Sequence, residues 1–227
     1  MSEQRLLYEL LAANEIHRDT ALRLAEYGAF VLQTNRRFNL TGAQSPLELM
    51  RHITDAFSIL EYIGDPHVDV GSGAGFPGVP LALVTGVEIV LIESSAKKAG
   101  FLSQTLSRFG LRGQVIARRA EFAAHEPKWR EHFASATARA VSSAPAVAEL
   151  TVPFLRISGV AVLQRGRAAE SEEEALTRAC VVLRAGLPET VVSPAGGTFF
   201  LVRKERSTPD AFPRRVGVPQ KRPLGTA

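Results

Sequence analysis

Residues 69–78 of the chain read DVGSGAGFPG, beginning within the β-branched segment HVDVG (67–71) and leading into an apolar stretch. Glycines between a strand and a helix let the backbone approach a ligand closely, and the helix N-terminus offers unpaired N–H groups. Glu93 follows Gly75 by 18 residues and ends the next β-branched segment, where an acid hydrogen-bonds ribose hydroxyls in this architecture. The loop and the acid together predict a site for a nucleoside-containing cofactor.

The chemistry of this loop favours a positively charged ligand. Residues 73–78 match the pattern G-x-G-x-x-G, so a dinucleotide stays open. Asp69, however, stands two residues before Gly71, where a carboxylate repels a pyrophosphate and attracts an ammonium or sulfonium. Pro77 and Pro80 also remove N–H groups that an anion would need. S-adenosylmethionine is therefore the candidate cofactor, although Asp69 can instead cap the backbone of its own loop.

Strand-like and helix-like segments alternate on both sides of the loop. Short segments rich in β-branched residues alternate with helix-length stretches, which predicts an α/β fold with a mostly parallel, doubly wound sheet. Two further segments, 189–193 and 198–204, are separated by four residues, a connection that permits only an antiparallel hairpin. The predicted strands are 67–71, 87–93, 113–118, 135–141, 159–165 and these two.

The N-terminal part is predicted to be helical. Apolar residues recur at three- and four-residue intervals over 3–33, and Ser45-Pro46 with Glu48 indicates the start of a second helix that runs to about Tyr62. The chain is accordingly divided into an N-terminal helical segment (1–65), a cofactor-binding domain (66–206) and a basic, proline-rich C-terminal tail (207–227).

Composition excludes several classes of protein. The 227 residues are 45% hydrophobic and 22% charged, which excludes an intrinsically disordered chain. We find no apolar run of the roughly 18 residues that a membrane span needs, and the N-terminus lacks a secretion-signal pattern. The single Cys180 rules out a disulfide framework or a cysteine-based zinc site, and no metal site is predicted. We therefore expect a cytoplasmic protein that does not enter the membrane.

The charge is concentrated at the C-terminus. The net charge is +4, but residues 201–227 hold seven basic and two acidic residues, a net +5, so the other 200 residues carry −1. A localised basic segment attracts polyanions such as nucleic acid, and it can equally be an inert, solubilising end.

The loop and several motifs outside it resemble those of a known family of enzymes. The loop and Glu93 resemble the first two motifs of class I S-adenosylmethionine-dependent methyltransferases. The flanking motifs resemble those of the bacterial 16S rRNA guanine-N7 methyltransferases, also called glucose-inhibited division protein B. They occur in order from residue 35 to 224: Asn35…Asn39-Leu40-Thr41, Arg51-His52…Asp55, Gly75-Phe76-Pro77-Gly78-Val79-Pro80, Glu93-Ser94…Lys97-Lys98, Arg119-Ala120-Glu121, Ala138-Arg139-Ala140-Val141 and Phe212-Pro213-Arg214-Arg215…Lys221.

This resemblance implies a Rossmann-like class I methyltransferase fold with a seven-stranded sheet and S-adenosylmethionine as cofactor. The cofactor contacts that it implies, together with the loop residues above, are Asp69, Gly71, Gly73, Gly75, Phe76, Glu93, Ala120, Glu121 and Arg139. Glu93 is expected to hold the ribose and Ala120 to offer backbone groups to the adenine. The chain departs from the family at Thr34, Ala134 and Arg165, where relatives usually carry an aromatic residue, Asp and Lys.

The implied reaction needs no general base. N7 of guanine already carries a lone pair, so catalysis is expected to come from alignment of the reacting atoms. Arg139 and Arg119 are the expected catalytic side chains, because a guanidinium can donate to guanine O6 or to a flanking phosphate. Arg139 can alternatively pair with an acid such as Glu121. None of the five histidines is assigned a catalytic role, although His52 is expected to orient the loop.

The implied partner is 16S rRNA of the small ribosomal subunit or its precursor, bound by a monomer. A guanine must be presented from a loop or junction, because N7 is poorly reachable in an A-form groove. The residues expected to bind RNA phosphates are Arg36, Arg37, Arg165, Arg214, Arg215 and Lys221.

Three other functions remain open from the sequence. The same fold can methylate a small molecule or a protein, since the fold does not set the substrate. A non-catalytic rRNA-binding or assembly factor can retain a methyltransferase domain. A nicotinamide dehydrogenase is the third alternative.

Overall fold

One seven-stranded sheet forms the centre of the protein. The computed structural model describes residues 2–13, 16–139, 142–165, 172–192 and 197–226. The strand order in the sheet is β3-β2-β1-β4-β5-β7-β6. The strands are β1 His67–Val70, β2 Ile89–Ile92, β3 Gly113–Ile116, β4 Phe133–Arg139, β5 Leu155–Gln164, β6 Glu189–Val192 and β7 Thr198–Arg203.

The directions of the strands confirm the sequence prediction. Strands β1 to β5 pair in parallel, and β7 runs antiparallel to both β5 and β6. The order reverses beside β1, which has β2 on one side and β4 on the other, so the glycine loop lies where α/β folds bind ligands. Residues 140–141, predicted as the end of the fourth strand, and residues 193–196 lie outside the described residues.

Nine α-helices are assigned within the described residues. They are α1 Glu3–Ala12, α2 Arg18–Asn35, α3 Pro46–Phe57, α4 Gly78–Thr85, α5 Ala96–Phe109, α6 Ala120–Ala123, α7 Ala144–Thr151, α8 Glu173–Leu183 and α9 Val218–Lys221. The predicted start of α3 is confirmed, because the Ser45 hydroxyl accepts a hydrogen bond from the Glu48 amide at 3.3 Å. The helix ends at Phe57, and a short 3₁₀ turn spans Leu60–Tyr62.

The prediction of one continuous helix over 3–33 is wrong. The chain leaves the first helix at Ala13, and His17 has a non-helical ψ of 137° before the second helix begins. Helix α1 then folds back on α2, so that the apolar stripes of both are buried. The close approach depends on Gly28, where an added Cβ would lie 2.8 Å from a methyl of Leu7 and 3.0 Å from one of Leu49.

The N-terminal helices share a hydrophobic core with the cofactor-binding domain. Tyr27 of α2 and Ile53 of α3 belong to one buried cluster with Val79 of α4 and Leu102 of α5. The boundary at residue 65 stays a prediction, since residues from both sides of it form this core. Within the described part of the chain, none of the helices has the length and apolarity to cross a membrane.

The C-terminal tail packs along the opposite face of the sheet. Phe212 and Leu224 pack against the buried cluster that contains Phe154 and Leu176. The Arg130 guanidinium donates to the backbone carbonyls of Thr208, Pro209 and Phe212 at 2.8–3.2 Å. The tail is therefore held against the domain over most of its length.

Candidate functional site

Three glycines shape the loop between β1 and α4. Gly71, Gly73 and Gly75 have φ angles of 74°, 56° and 98°, which non-glycine residues rarely adopt. At Gly75 an added Cβ would also lie 2.7 Å from Val79 and 2.8 Å from the Tyr27 hydroxyl, whereas at Gly73 it would meet only a backbone oxygen at 3.9 Å. The loop thus turns tightly against the core at Gly75 and leaves open space at Gly73.

Helix α2 supports this loop from the N-terminal side. The buried Tyr27 hydroxyl donates to the Ala74 carbonyl oxygen at 2.6 Å, and the ring of Tyr27 contacts that of Phe76 with centroids 5.4 Å apart. Sequence analysis missed Tyr27, because its only signal is its place on the apolar face of a helix.

Asp69 is a buried carboxylate at the start of the loop. It is 1% exposed, and its Oδ1 accepts a hydrogen bond from the Thr137 hydroxyl of β4 at 2.8 Å. Its Oδ2 is buried and has no hydrogen-bond partner among the described residues. Burial raises the pKa of Asp69 to about 6, although the Thr137 hydrogen bond opposes the shift. The backbone of Gly78 lies close to Oδ2 and its amide lowers the pKa of Asp69, so the alternative in which this side chain caps the loop stays open beside a contact with a ligand.

Glu93 joins the loop to the end of β2. Its two carboxylate oxygens accept hydrogen bonds from the Gly73 amide at 3.0 Å and the Ser95 amide at 2.7 Å. The residue is 9% exposed. Glu93 therefore lies beside the loop, as the spacing predicted, and a contact of its carboxylate with a ribose stays a prediction.

Arg139 lies at the carboxyl end of β4 and pairs with helix α3. Its Nη2 donates a hydrogen bond to His52 Nδ1, and its Nη1 lies 3.7 Å from Asp55 Oδ2. Burial lowers the pKa of Arg139, while burial and then the nearby guanidinium lower the pKa of His52, which favours the neutral ring. The acid beside Arg139 is thus Asp55 and not Glu121, the partner weighed from the sequence.

His52 also connects Arg139 to the glycine loop. The His52 ring contacts that of Phe76 with centroids 5.6 Å apart, in line with the expectation that His52 orients the loop. Residues 52 and 139 are 87 positions apart, so only the fold brings helix α3, the loop and β4 together. Asp55 was quoted within a sequence motif, but nothing in the sequence assigned it to Arg139.

A cavity of about 900 Å³ opens beside Arg139. Its walls come from α3, from the ends of β4 and β5 and from the start of β7. The lining includes Arg51, Asp55, Arg139, Gln164, Arg165 and Phe199. The cavity combines cationic, amide and aromatic groups, and it lies on the side of Arg139 that holds Asp55. Arg139 therefore lines this cavity and also attracts the buried carboxylate of Asp69 electrostatically.

Ala120 and Glu121 begin helix α6, and the C-terminal tail contacts Glu121. Glu121 is 3% exposed, and its carboxylate accepts a hydrogen bond from the Gly217 amide at 3.0 Å. Arg119 precedes this helix with an exposed side chain, and no ion pair of Arg119 occurs within the described residues. The tail thus contacts the helix that carries the expected adenine contacts.

The six expected RNA-binding residues divide into held and exposed side chains. Arg165 forms a two-pronged ion pair with Glu172 at 2.8 and 2.9 Å, and its side chain is 13% exposed. Arg36 forms an exposed ion pair with Glu3 at 2.7 Å. Three others, Arg37, Arg215 and Lys221, are exposed.

Arg214, the sixth, is bound to a buried acid. Its guanidinium donates to Glu149 of α7 at 2.6–3.1 Å, and its backbone amide donates to the same carboxylate at 2.8 Å. Glu149 is fully buried. The guanidinium of Arg214 is therefore engaged within the protein, and Glu149 is a residue that sequence analysis did not single out.

Comparison with known proteins identifies the family. The profile of the family described as rRNA small subunit methyltransferase G matches residues 21–195. The chain belongs to this family. The Ribosomal RNA small subunit methyltransferase G of Desulfitobacterium hafniense is 34% identical over 99% of this chain and 95% of its own length. The protein of the same name from Rubrobacter xylanophilus is 38% identical over 89% of this chain and 84% of its own length.

The fold comparison agrees with the family. An O-methyltransferase from Bacillus cereus, solved in complex with SAH, superposes with a TM-score of 0.57 at 19% identity, covering 79% of this chain and 91% of that one. A geranyl diphosphate methyltransferase solved with SAM gives a TM-score of 0.51 at 15% identity, over 70% and 88% of the two chains. The predicted class I methyltransferase fold is confirmed for this member of the family.

Proposed function

We propose that the protein transfers the methyl group of S-adenosylmethionine to N7 of a guanine in 16S rRNA of the small ribosomal subunit or its precursor. The observation that carries this proposal is that Arg139 both lines the cavity beside α3 and interacts electrostatically with the buried Asp69 carboxylate. A cofactor held at Asp69 and a guanine base held in the cavity would meet at the Arg139 guanidinium. The relatives named above carry small-subunit rRNA methyltransferase in their names.

The loop residues fit the cofactor. The unpartnered Oδ2 of Asp69 is an acceptor for a cationic group, and the open space at Gly73 leaves its backbone accessible. Gly71, Phe76 and Glu93 would complete this side of the site. When bound, S-adenosylmethionine supplies an electrophilic methyl group on a positively charged sulfonium.

The remaining residues orient the base. Because the N7 lone pair needs no general base, the protein's contribution is alignment and hydrogen bonding. Arg139 would donate to guanine O6 from the position that His52 and Asp55 give it. Arg119 would contact a flanking phosphate, since its side chain is exposed beside the tail.

Exposed cations would bind the RNA backbone on either side. We assign this role to Arg37, Arg215 and Lys221, while Arg36 would have to leave its exposed pair with Glu3. Arg165 and Arg214 would shape the surface through their pairs with Glu172 and Glu149. The monomeric state and the cytoplasmic location stay predictions that accompany a ribosomal substrate.

The proposal is tested on rRNA from a strain that lacks the protein. Mass mapping of 16S rRNA should show one guanine that is methylated in the parent strain and unmethylated in the deletion strain. Purified protein and S-adenosylmethionine should restore the methyl group, and parallel reactions on deproteinised rRNA and on assembled subunits identify the substrate. Unchanged 16S rRNA would contradict the proposal, and calorimetry showing no binding of S-adenosylmethionine would favour a non-catalytic assembly factor.

Asp69→Asn should stabilise the protein while weakening cofactor binding. The pKa of Asp69 is raised from 3.8 to about 6, so ionisation of the buried acid opposes folding. The folded state of the wild type loses stability as pH rises between these two values and stays penalised above the higher one. At pH 7 we expect Asp69→Asn to increase the unfolding free energy by about 1–2 kcal/mol, measured by denaturant titration.

The same variant separates the two roles of Asp69. Calorimetry should show that Asp69→Asn weakens S-adenosylmethionine binding at least about tenfold, the loss of one charge-assisted contact. If the variant is less stable and binds the cofactor normally, Asp69 only stabilises the glycine loop and does not contact the cofactor. Asp19→Asn, an exposed acid in the first turn of α2, is the control with the same change in net charge.

Neutralising two tail cations should reduce the salt dependence of RNA binding. For Arg215→Gln with Lys221→Gln we expect weaker binding of rRNA fragments and a slope of log affinity against log salt that is smaller by roughly 1.5, since each phosphate contact contributes about 0.7–0.9. Fluorescence anisotropy at several salt concentrations measures the slope. The control is Arg108→Gln with Arg112→Gln, which neutralises two exposed, ion-paired arginines outside the tail. An equal change of the slope in the control would show that the tail cations do not bind the RNA specifically.

A further inference from the structure

Four polar side chains form a buried ladder between β1 and β4. His67 lies directly across from Ser135, and Asp69 directly across from Thr137. All four are at most 1% exposed. The contacts run from Ser135 Oγ to His67 Nδ1 at 2.7 Å, from His67 Nε2 to Thr137 Oγ1 at 2.9 Å and from Thr137 Oγ1 to Asp69 Oδ1 at 2.8 Å.

The donors in this ladder can be assigned from one end. An ionised carboxylate only accepts hydrogen bonds, so the single hydroxyl proton of Thr137 must point to Asp69. The Thr137 oxygen can then only accept from His67, which places a proton on Nε2. His67 Nδ1 is left as an acceptor, so in this arrangement the single Ser135 hydroxyl proton points to His67 and not to the Gly64 carbonyl oxygen, which lies 2.9 Å from Ser135 Oγ. The Gly64 amide still donates to Ser135 Oγ at 2.9 Å. Burial lowers the pKa of His67 to about 3, so its ring stays neutral.

We infer that His67 is a positioning residue for the cofactor site: its neutral Nε2–H tautomer fixes Thr137 as the donor to Asp69 and so keeps that carboxylate ionised and oriented toward the ligand. Without a donor at Nε2, the Thr137 hydroxyl can rotate and leave Asp69. The ladder holds Oδ1 and leaves Oδ2 unpartnered among the described residues. The inference rests on the proposed function only in assigning Asp69 to the cofactor.

Other charged and titratable groups face Asp69 but do not replace the ladder. Tyr27 of α2 and Arg139 of β4 interact with it electrostatically. The Ser72 hydroxyl, which donates to the Asp69 backbone oxygen at 2.8 Å, and the Gly78 amide also lower the pKa of the carboxylate. These groups are unchanged in the variants below. A difference between the variants therefore reports on His67 and Thr137.

The first test reads the tautomer directly. Nitrogen-15 NMR of the full-length protein at pH 7.5 should show His67 as a neutral ring protonated at Nε2, with no titration down to pH 5, and its signal is assigned by its loss in His67→Gln. A ring protonated at Nδ1, or one that titrates near pH 6.5, would overturn the inference. This result does not depend on methyl transfer.

The second test follows cofactor affinity against pH. In the wild type, S-adenosylmethionine affinity should fall as pH drops through about 6, the pKa of Asp69. Thr137→Val removes the hydrogen bond to the carboxylate and should raise the midpoint by about one pH unit, because each such bond lowers a carboxylate pKa by that order. Thr137→Ser keeps the hydroxyl and should keep the midpoint.

The His67 variants complete the comparison. His67→Leu lacks a donor and should raise the pH midpoint of cofactor affinity, as Thr137→Val does. The amide of His67→Gln can still donate a hydrogen bond to Thr137, so this variant should keep the wild-type midpoint. Circular dichroism melts confirm that each variant is folded. If His67→Leu does not fold, the tautomer of His67 and the midpoint of Thr137→Val remain as tests. Unchanged midpoints in folded Thr137→Val and His67→Leu would overturn the inference. A wild type that binds no cofactor would instead contradict the proposed function.

Discussion

Arg139→Ala is expected to lower the turnover of 16S rRNA methylation by about 10²–10³-fold. Loss of a single positioned donor costs enzymes this much, and a reaction without a general base depends on alignment more than most. The substitution removes the donor expected at guanine O6 and also releases His52 and Asp55. Single-turnover methylation with a radiolabelled methyl donor measures the effect, with the Michaelis constant for RNA expected to change less than the turnover.

Two variants show whether the effect belongs to the guanidinium. Arg139→Lys keeps the charge but not the fork of donors, so it should recover only part of the turnover. Arg5→Ala removes an exposed arginine that pairs with Glu9 within α1, and it should retain full activity. Near-normal turnover of a correctly folded Arg139→Ala protein would exclude Arg139 from the reaction.

Arg214→Ala is expected to destabilise the fold by about 3–5 kcal/mol. The substitution leaves the fully buried Glu149 carboxylate without its guanidinium partner, and an unpaired buried charge costs about this much. The backbone amide of residue 214 can still donate to Glu149, so we expect a value toward the lower end. Chemical denaturation monitored by the single Trp129 measures the change.

The neighbouring residue supplies the matched control. Arg215 is exposed, so Arg215→Ala should change the unfolding free energy by less than about 0.5 kcal/mol. Adding Glu149→Leu to Arg214→Met replaces the buried pair by apolar groups and should recover most of the lost stability. Equal effects of Arg214→Ala and Arg215→Ala would contradict the buried ion pair as the anchor of the tail.

These tail predictions differ from those that charge alone supports. The net charge of the last 27 residues predicts a segment that attracts polyanions, but it does not separate Arg214 from Arg215. The structure separates them, because Arg214 donates to Glu149, 65 positions earlier in the chain. Removing the whole tail would therefore expose a buried acid as well as remove cations, and point substitutions are the cleaner test.

The local parts of the fold were predictable because they depend on neighbouring residues. The short segments rich in β-branched residues predicted the seven strands, and Ser45-Pro46 with Glu48 predicted the start of α3. The break between α1 and α2 was missed, since the apolar stripe of each helix continues the pattern of the other. The break lets α1 pack against α2, and this packing depends on Gly28, which leaves room for the side chains of Leu7 and Leu49.

The sequence by itself determined the glycine loop, the acid 18 residues after it and the family to which the chain belongs. Only the tertiary structure decided that Asp55 lies beside Arg139, that His67 and Thr137 hold Asp69, and that Glu149 anchors the tail. The physical reason is the strand order. Strand β4 pairs with β1, although residues 71–132, which include β2 and β3, separate the two strands in the chain. A local sequence pattern therefore does not predict which side chains of β1 and β4 face each other.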